Sequence, residues 1–359
     1  MEKILKQVLG VDVDQKNLVV TLGRLTEDLT VELYAHKVFA NNKKGFLSLL
    51  KWVNSLTDRS ISFQIVMEAT GVYHESFAYF LDEKGYALSV VLPNKISNYM
   101  RTLDIRTVTD KSCSQAIARF GLERKLDCWK RPKKIYKRLQ QLTRERAQII
   151  DERTMVKNQL HAEKAEAGPN KNSLKRLESR IKFLKKQDAE IMKELNGYLK
   201  EDGTLAQQVK RITTIPGVGE LTAMTVLAET NGFELIRNKR QLTSYAGLDV
   251  KEKLSGTSVH KKPKISKQGN RNLRKAMYFP AITAIKHNTN QKDLYERVTN
   301  KNGIKMKGLV AVQRKLLELI YTIYKNETVF DPEYENSVTT KKAVHAIQTG
   351  SKAVLEIQI

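Results

Sequence analysis

Two long stripes of aliphatic residues, separated by one break, constrain the fold of this chain more than any other feature. Both stripes follow the alternating three-and-four spacing of a coiled-coil seam, and the sequence Gly-Pro-Asn at 168–170 separates them. Their members are Ile135, Leu139, Leu142, Ile149, Val156 and Leu160, and then Leu174, Leu177, Ile181, Leu184, Ile191, Leu195 and Tyr198. Since this spacing buries one helix face against another and Gly-Pro ends a helix, residues 129–200 are predicted to form a coiled-coil helical arm.

Polar residues interrupt both stripes. Arg146 and Arg153 occupy seam positions of the first stripe, and Asp188 interrupts the second. One interpretation is a helical spacer or dimerisation arm. The other adds phosphate contacts through the seam arginines and the lysines of the second helix.

The first 128 residues have the pattern of a sheet with helices packed on it. The strand-like segments are VLGVDVD, NLVVTLGRL, TVELYAHKVFA, SFQIVME and ALSVVLPN. Two segments with helical spacing, GFLSLLKWVNSL and HESFAYFLDEKG, fall between the later strands. Three strands followed by helix and strand in alternation predict an α/β domain over residues 1–128 with a mixed sheet.

Residues 201–330 have the pattern of a mostly helical domain, followed by a peripheral tail at 331–359. The turn Pro216–Gly219 opens an apolar helix, and Leu309–Lys325 forms an amphipathic helix. Gly217 and Gly219 leave backbone N–H groups open to a phosphate, as in a helix-hairpin-helix motif. An ordinary turn has the same short sequence.

Positive charge is concentrated in one part of this domain. The chain carries 63 Lys+Arg against 39 Asp+Glu, a formal net charge of +24, and the segment 255–280 contains seven cations and no acid. Such a balance favours a polyanionic partner, DNA or RNA. The side chains predicted to bind nucleic acid are Lys261, Lys262, Lys264, Lys267, Asn270, Arg271, Arg274 and Lys275.

Several other classes of protein do not fit this sequence. No window has the unbroken apolar length that spans a bilayer, and the N-terminus lacks a signal-peptide pattern, so we expect a cytoplasmic protein without a membrane partner. Cys113 and Cys128 are the only cysteines, and they form neither a CxxC pair nor a Cys/His cluster. Neither a disulfide framework nor a structural zinc site is expected.

Three carboxylates fall at the ends of predicted elements. Asp12 ends the first apolar run, Glu68 ends the fourth, and Asp110 opens a helical segment. If those two strands are neighbours, the three acids would meet at one edge and offer oxygen ligands to Mg²⁺, as in ribonuclease-H-like nucleases. Each acid taken singly also suits a structural role: Asp110 as a helix cap, and the nearby Asp14 as a turn residue.

Four segments together resemble a known family. They are LGVDVDQKNL, VMEATGVY, VTDKSCSQAIARFGLE, and the block from IPGVGELTAMTVLAE through LTSYAGLDVKEKLSGTSVHKKPKISKQGNRNLRKAMYFPA. The chain resembles, over nearly its full length, the insertion-sequence transposases of the 110 family. These are bridge-RNA-guided DNA recombinases with a RuvC-like N-terminal domain and a C-terminal transposase domain that contains a catalytic serine.

The resemblance implies a fold and a mechanism. It implies an RNase H/RuvC-like domain in which Asp12, Glu68 and Asp110 bind Mg²⁺, and it places the serine nucleophile at Ser255. The serine would form a covalent phosphoserine-DNA intermediate, with Lys261, Lys262 or His260 stabilising charge nearby. The implied partners are donor and target DNA, a structured guide RNA, and further copies of the chain in a dimer or tetramer with shared active sites.

One position departs from the family pattern. The family has a second aspartate three residues after the first, where this chain has Cys113. A thiolate is a poor ligand for Mg²⁺. Three interpretations follow: three carboxylates suffice, another acid such as Asp104 substitutes, or the site is weakened.

Two alternative functions therefore stay open. One is a metal-dependent, structure-selective endonuclease in which water is the nucleophile and the serine turn only binds phosphate. The other is a catalytically silent RNA- or DNA-binding homologue.

Overall fold

A computed structural model describes residues 3–69, 71–103, 105, 107–234, 236–255 and 259–332, with residues 253–255, 259–262 and 302 described by their backbone alone. The chain divides into two compact units, Met1–Arg131 and Pro132–Ile359. The predicted tail lies almost wholly outside the described residues.

The first unit is a five-stranded mixed sheet with helices on both faces. Its elements are β1 (Ile4–Val13), β2 (Asn17–Thr26), β3 (Val31–Ala40), α1 (Lys43–Leu56), β4 (Phe63–Glu68), α2 (Glu75–Glu83), β5 (Leu88–Val91), α3 (Pro93–Met100) and α4 (Asp110–Glu123). The strand order is β3-β2-β1-β4-β5, with the first three strands antiparallel and β4 and β5 parallel to β1. The mixed sheet and its five strands are confirmed.

Successive residues of β1 face opposite sides of the sheet, so the core of this unit has one part on each side. Leu9 and Val11 pack with α1 and α2 on one face, whereas Val8 packs with α3 and α4 on the other. Gly10 lies beneath α4, where an added Cβ would stand 2.3 Å from the backbone nitrogen of Ala118. The absence of a side chain at this glycine therefore lets α4 rest directly on β1.

The second unit is mostly helical, as predicted. Its elements are α5 (Lys134–Lys164), α6 (Lys171–Glu201), α7 (Gly203–Ile212), α8 (Glu220–Glu229), α9 (Lys239–Ala246), β6 (Val250–Ser255), β7 (Val259–Ile265), α10 (Arg271–Ala276), α11 (Tyr278–His287), α12 (Thr289–Asn302) and α13 (Lys305–Asn326). One continuous apolar core runs from the stripes of α5 and α6 to α13. No helix within the described residues is long and apolar enough to cross a membrane.

The two long helices pack against each other within one chain, and their polar interruptions meet. Asp188 of α6 forms ion pairs with Arg146 at 2.8 Å and Arg153 at 3.0 Å, both from α5. Both guanidinium groups are thus held by one carboxylate inside the hairpin, and contact of these arginines with phosphate stays a prediction. Asn170 caps α6 by accepting hydrogen bonds from the backbone N–H groups of Asn172 and Ser173.

Candidate functional site

Two of the predicted acids emerge beside each other at one edge of the sheet. β1 and β4 are parallel neighbours, with Val11 opposite Met67, so Asp12 and Glu68 follow at the same level. Alternation puts Asp12 on the face of Gly10, which lies under α4, and Glu68 on the face of Val66, which packs with α4. Both carboxylates therefore stand on the side of the sheet that α4 covers.

The third acid lies at the first residue of α4, and helix capping does not account for it. Thr109 is the N-cap: its hydroxyl accepts a hydrogen bond from the backbone N–H of Ser112, and the hydroxyl of Ser112 accepts one from the backbone N–H of Thr109, which completes a capping box. Asp110 is exposed and its carboxylate is not the cap. The turn role considered for Asp14 is confirmed, because its carboxylate accepts a hydrogen bond from the backbone N–H of Lys16 between β1 and β2.

The charges of Glu68 and Asp110 act on Asp12. Burial, followed by the charges of Glu68 and Asp110, raises the pKa of Asp12 from 3.8 to about 6. Within the described residues, however, no three His, Cys, Asp or Glu side chains are grouped closely enough to hold a metal ion. The acids thus lie within electrostatic range of one another but further apart than the ligands of one ion.

Cys113 belongs to the same group. It lies one turn after Asp110 on α4, and burial together with the charges of Asp12, Glu68 and Asp110 raises its pKa to about 11. Without a metal ion, the thiol is therefore protonated at neutral pH. Cys113 and Glu68 line a cavity of about 640 Å³, together with Arg101 and residues of α3. Asp104, the proposed substitute acid, lies outside the described residues.

Ser255 is the last residue of β6, which forms a two-stranded antiparallel ribbon with β7. Its backbone lies opposite that of Val259, and residues 256–258 lie outside the described residues. The register also places Lys251 opposite Lys264, and Lys253 opposite Lys261. This ribbon was not predicted from the sequence, since its strands carry lysines in place of the alternating apolar residues that are typical of a strand.

Two glycines and a polar contact fix the base of this ribbon. Gly247 ends α9 with φ +66°, and Gly269 has φ +149°, where an added Cβ would lie 2.4 Å from the carbonyl oxygen of Tyr245. The backbone N–H of Ser266 donates to the carbonyl of Asp249, and its hydroxyl donates to the Asp249 carboxylate. These tight backbone approaches explain why the sequence has glycine at both positions.

A buried carboxylate that the sequence analysis missed lies behind this base. The side chain of Glu229, at the end of α8, has no exposed surface, and it accepts two hydrogen bonds from Arg144 of α5 at 2.7 and 2.8 Å. Asn270 and Asn272 donate to the same carboxylate at 2.7 and 3.3 Å. Burial alone would raise the pKa of Glu229, but these donors outweigh it and the pKa is lowered. The only sequence signal is an acid at the end of an otherwise apolar helix.

The residues predicted to bind nucleic acid fall into two groups. Lys264, Lys267 and Arg271 are exposed, as is Lys275, which pairs with Asp151 of α5. Asn270 is engaged within the fold by Glu229 and by the N–H of Leu273, and Arg274 donates to the carbonyl of Ala246. For Lys261 and Lys262 only the strand positions in β7 are described.

The two glycines of the predicted phosphate-binding turn differ in their surroundings. Gly217 has φ +95°, and an added Cβ would lie 2.8 Å from the backbone of α11, at Pro280 and Ala284. Gly219 is the N-cap of α8 and has open space around it. Gly217 therefore serves helix packing, while Gly219 leaves the start of α8 accessible.

Two family models match this chain. A transposase model of the DEDD, IS110 type matches residues 9–163, and the model "Transposase IS116/IS110/IS902 family" matches residues 209–296. Together they cover more than half of the chain, including the three acids, Ser255 and the base of the ribbon.

Similar proteins come from several bacteria. The chain is 28% identical over 314 residues to the pilin gene-inverting protein of Moraxella lacunata (84% of this chain and 92% of the relative), and 29% identical over 304 residues to that of Moraxella bovis (82% and 89%). It is 27% identical over 127 residues to the transposase for insertion sequence element IS1111A of Coxiella burnetii (34% and 35%).

Among solved structures, T. thermophilus RuvC in complex with a Holliday junction substrate matches with a TM-score of 0.26 and 10% identity. The match covers 34% of this chain and 99% of RuvC, and its TM-score is too low to support an argument. The family models and the gene-inverting relatives agree over most of the chain: this protein belongs to the IS110 family of transposases and is a DNA recombination enzyme.

Proposed function

We propose that this protein is an RNA-guided recombinase of an insertion sequence, which cuts and rejoins DNA strands through a phosphoserine-DNA intermediate on Ser255. The observation that carries this proposal is the group of Asp12, Glu68 and Asp110, in which burial, followed by the charges of the other two acids, raises the pKa of Asp12 to about 6. Placing three acids together at one edge of the sheet destabilises the fold. The arrangement therefore favours a function in catalysis. We assign the sheet unit to the RNase H/RuvC-like class on the same basis.

The chemistry of the acid group suits a hard divalent cation. Its donors are carboxylate oxygens, whereas the neighbouring Cys113 thiol is protonated at neutral pH. We infer that Asp12, Glu68 and Asp110 would hold Mg²⁺ only after moving closer together than they lie in this structure, and that the ion would relieve their repulsion. When bound, the cation would supply positive charge for the phosphate and lower the pKa of a coordinated hydroxyl.

The covalent step uses the hydroxyl of Ser255. Its oxygen forms a bond to a DNA phosphorus while the bond from that phosphorus to one sugar oxygen breaks. The serine proton passes to a base or to water, and the departing sugar oxygen takes up a proton. Attack by the sugar hydroxyl of another strand reverses these steps, so the DNA is rejoined and the serine is released without an external energy source.

Other copies of the chain and a guide RNA complete the proposal. We propose that the serine of one protomer acts with the acid group of another, in a dimer or tetramer, and that base pairing with a structured RNA selects the DNA. The resemblance to the family supports both points. Two relatives are named for inverting a gene, which favours rejoining of strands over simple hydrolysis.

The proposal is tested by trapping the intermediate. The protein is incubated with Mg²⁺, RNA transcribed from the noncoding flanks of its gene, and duplexes that carry the ends of the element. We expect a protein-DNA adduct that survives denaturation, is lost in Ser255→Ala, and persists in the matched control Ser258→Ala, which removes the hydroxyl three residues further along the sequence. Cleavage without an adduct would favour the endonuclease. Nucleic-acid binding with neither product would favour the silent homologue.

A further inference from the structure

We propose that a cavity in the helical unit binds one unpaired base of a DNA strand, and that the base stacks on the ring of Phe279. This inference goes beyond the proposed function, because none of the proposed catalytic residues lines the cavity. It names a second contact site for the substrate and the form of DNA that this site accepts.

Residues of α5, α8, α10 and α11 line a cavity of about 280 Å³. This volume is close to the lower end of the range of about 300–1,000 Å³ that ligand pockets have, so the cavity suits one small ring system. Its apolar walls consist of Ala147 and Ile150 of α5, Leu221 of α8, Ala276 of α10 and Pro280 of α11. A group that enters the cavity therefore needs an apolar surface.

Phe279 lines the same cavity with a ring that is largely open to water. Its side chain is 74% exposed, and no large hydrophobic residue in the described part of the chain is more exposed. Tyr278 covers the ring only by an edge-to-face contact, with 5.3 Å between ring centroids. A planar base that stacks on Phe279 would remove apolar surface of both rings from water.

The polar residues of the cavity suit a base better than an aliphatic group. Thr222 of α8 contributes a hydroxyl, and Asn272 of α10 contributes an amide whose nitrogen donates to Glu229 at 3.3 Å. The hydroxyl and the amide oxygen can bond to the polar edge of a base. An aliphatic occupant would cover both groups without bonding them, which is unfavourable.

Positive charge beside the cavity suits the phosphates that flank such a base. Lys275 lines the cavity, and its ion pair with Asp151 is half-exposed, so a phosphate can replace the aspartate at little cost. Arg271 lies one turn earlier on α10 and is exposed. Arg144 is 45% exposed and is held in place by Glu229. The cavity thus combines an aromatic ring with cations, as single-strand binding sites do.

The family's reaction supplies the DNA form that fits this cavity. A DNA recombination enzyme exchanges strands, and each exchange takes bases away from their complements. A base in an intact duplex is covered by its stacked neighbours, whereas an unpaired base can leave the stack and present a face to Phe279. The cavity should therefore bind single-stranded DNA and not an intact duplex.

Binding by the full-length Ser255→Ala protein in Mg²⁺-free buffer tests this proposal apart from catalysis. The probes are a short deoxyuridine oligonucleotide and an abasic strand with the same number of phosphates. Adding Phe279→Ala should weaken binding of the deoxyuridine strand roughly 5- to 150-fold, while Phe279→Trp should preserve it. The abasic strand should bind equally to all three proteins. The matched control is Phe183→Ala, at a ring of α6 that is 58% exposed.

The indole of Phe279→Trp reports on the cavity directly. The deoxyuridine strand should quench its fluorescence and the abasic strand should not, after subtraction of the signal from Trp52 and Trp129 in the parent protein. Equal effects of Phe279→Ala on both strands, or no effect on either, would overturn the proposal. Tighter binding of a uridine RNA strand of equal length would overturn the assignment to DNA. Loss of self-association in Phe279→Ala, with strand binding intact, would instead assign the ring to a contact between copies.

A second variant tests where the phosphates lie. Lys275→Gln should weaken binding of both strands, and the slope of log affinity against log salt should fall by about 0.7 for the one phosphate lost. Lys164→Gln is the matched control, because its ion pair with Glu178 has similar exposure. Equal effects of the two variants would overturn the placement of the strand at this cavity.

These results are independent of the adduct experiment. If the adduct depends on Ser255 but strand binding does not depend on Phe279, the proposed function stands and the base-binding site is wrong. If strand binding depends on Phe279 but no adduct forms on Ser255, the site stands and the assigned nucleophile is wrong.

Discussion

Asp12 and Glu68 stand side by side at the ends of two parallel strands, and the charge of Glu68 adds to burial in raising the pKa of Asp12 to about 6. Two parallel strands that end at the same level under one helix bring these acids together, and Gly10 allows that helix to lie close. This arrangement lowers the free energy of unfolding, and the effect is measurable as a pH dependence of stability.

The pKa of Asp12 predicts that the folded sheet unit loses stability as the pH rises. Between about pH 4 and pH 6 the folded state retains the Asp12 proton that the unfolded state has released, so unfolding becomes easier until the loss is complete above about pH 6. Asp12→Asn should therefore raise the free energy of unfolding by roughly 1–3 kcal/mol near neutral pH. Below about pH 4 the gain should vanish.

Urea unfolding of the wild type and Asp12→Asn at both pH values measures this effect. Glu27→Gln, at an exposed position between β2 and β3, removes the same charge and serves as the control. A variant that is no more stable than the wild type near neutral pH would contradict the account of the acid group.

Cys113→Asp restores the aspartate of the family pattern, and it should change both the unfolding temperature and the stabilisation by Mg²⁺. Without metal, a fourth carboxylate beside Asp12, Glu68 and Asp110 adds repulsion, so the unfolding temperature should fall. On titration with Mg²⁺ alone, the variant should gain more stability than the wild type. Cys113→Ser is the isosteric control, and equal responses of the two variants to Mg²⁺ would show that this position takes no part in cation binding.

Loss of the Glu229 carboxylate should destabilise the helical unit. Glu229→Ala leaves the donors of Arg144, Asn270 and Asn272 without their acceptor, which should cost roughly 2–4 kcal/mol, since the half-exposed Arg144 can still be hydrated. Glu229→Gln should cost less because it keeps part of the hydrogen bonding.

Thermal unfolding measures this cost, with Glu220→Gln at the exposed start of the same helix as the control. The lowered pKa of Glu229 sets the sign of its pH dependence: the stability that this residue contributes is present above its ordinary pKa of 4.5 and is lost as the pH falls below that value. An equal effect of Glu220→Gln would refute the special role of Glu229.

The ion pairs of Asp188 predict a non-additive set of variants in the arm. Asp188→Leu leaves two partly buried guanidinium groups, those of Arg146 and Arg153, without their carboxylate, and it should lower stability. Combining it with Arg146→Leu and Arg153→Leu should restore stability, because all three positions then continue the apolar stripes. If the triple variant is less stable than Asp188→Leu, the three side chains are not one unit.

Local periodicity made the main elements predictable from sequence. The stripes of α5 and α6 repeat within each helix, and the strands that end at Asp12 and Glu68 are short apolar runs. Partners distant in sequence were not predictable in the same way. Asp188 meets arginines of another helix, and Glu229 meets Asn270, which lies 41 residues further on.

The ribbon was missed for a different reason. Residues 250–265 carry lysines in place of the apolar alternation that is typical of a half-buried strand, so no strand signal marks them in the sequence. The sequence indicated the charge of this segment but not its shape. Its shape depends on backbone approaches at Gly247 and Gly269, which become visible only when the chain is folded.

The most direct test of the central claim is to identify the atom that bonds to DNA. The denaturation-resistant adduct is digested with nuclease and protease, and mass spectrometry locates the residual nucleotide. The account predicts a nucleotide on Ser255, absent when Asp12 is replaced by Asn. A nucleotide on any other residue, or an adduct that persists in Asp12→Asn, would contradict it.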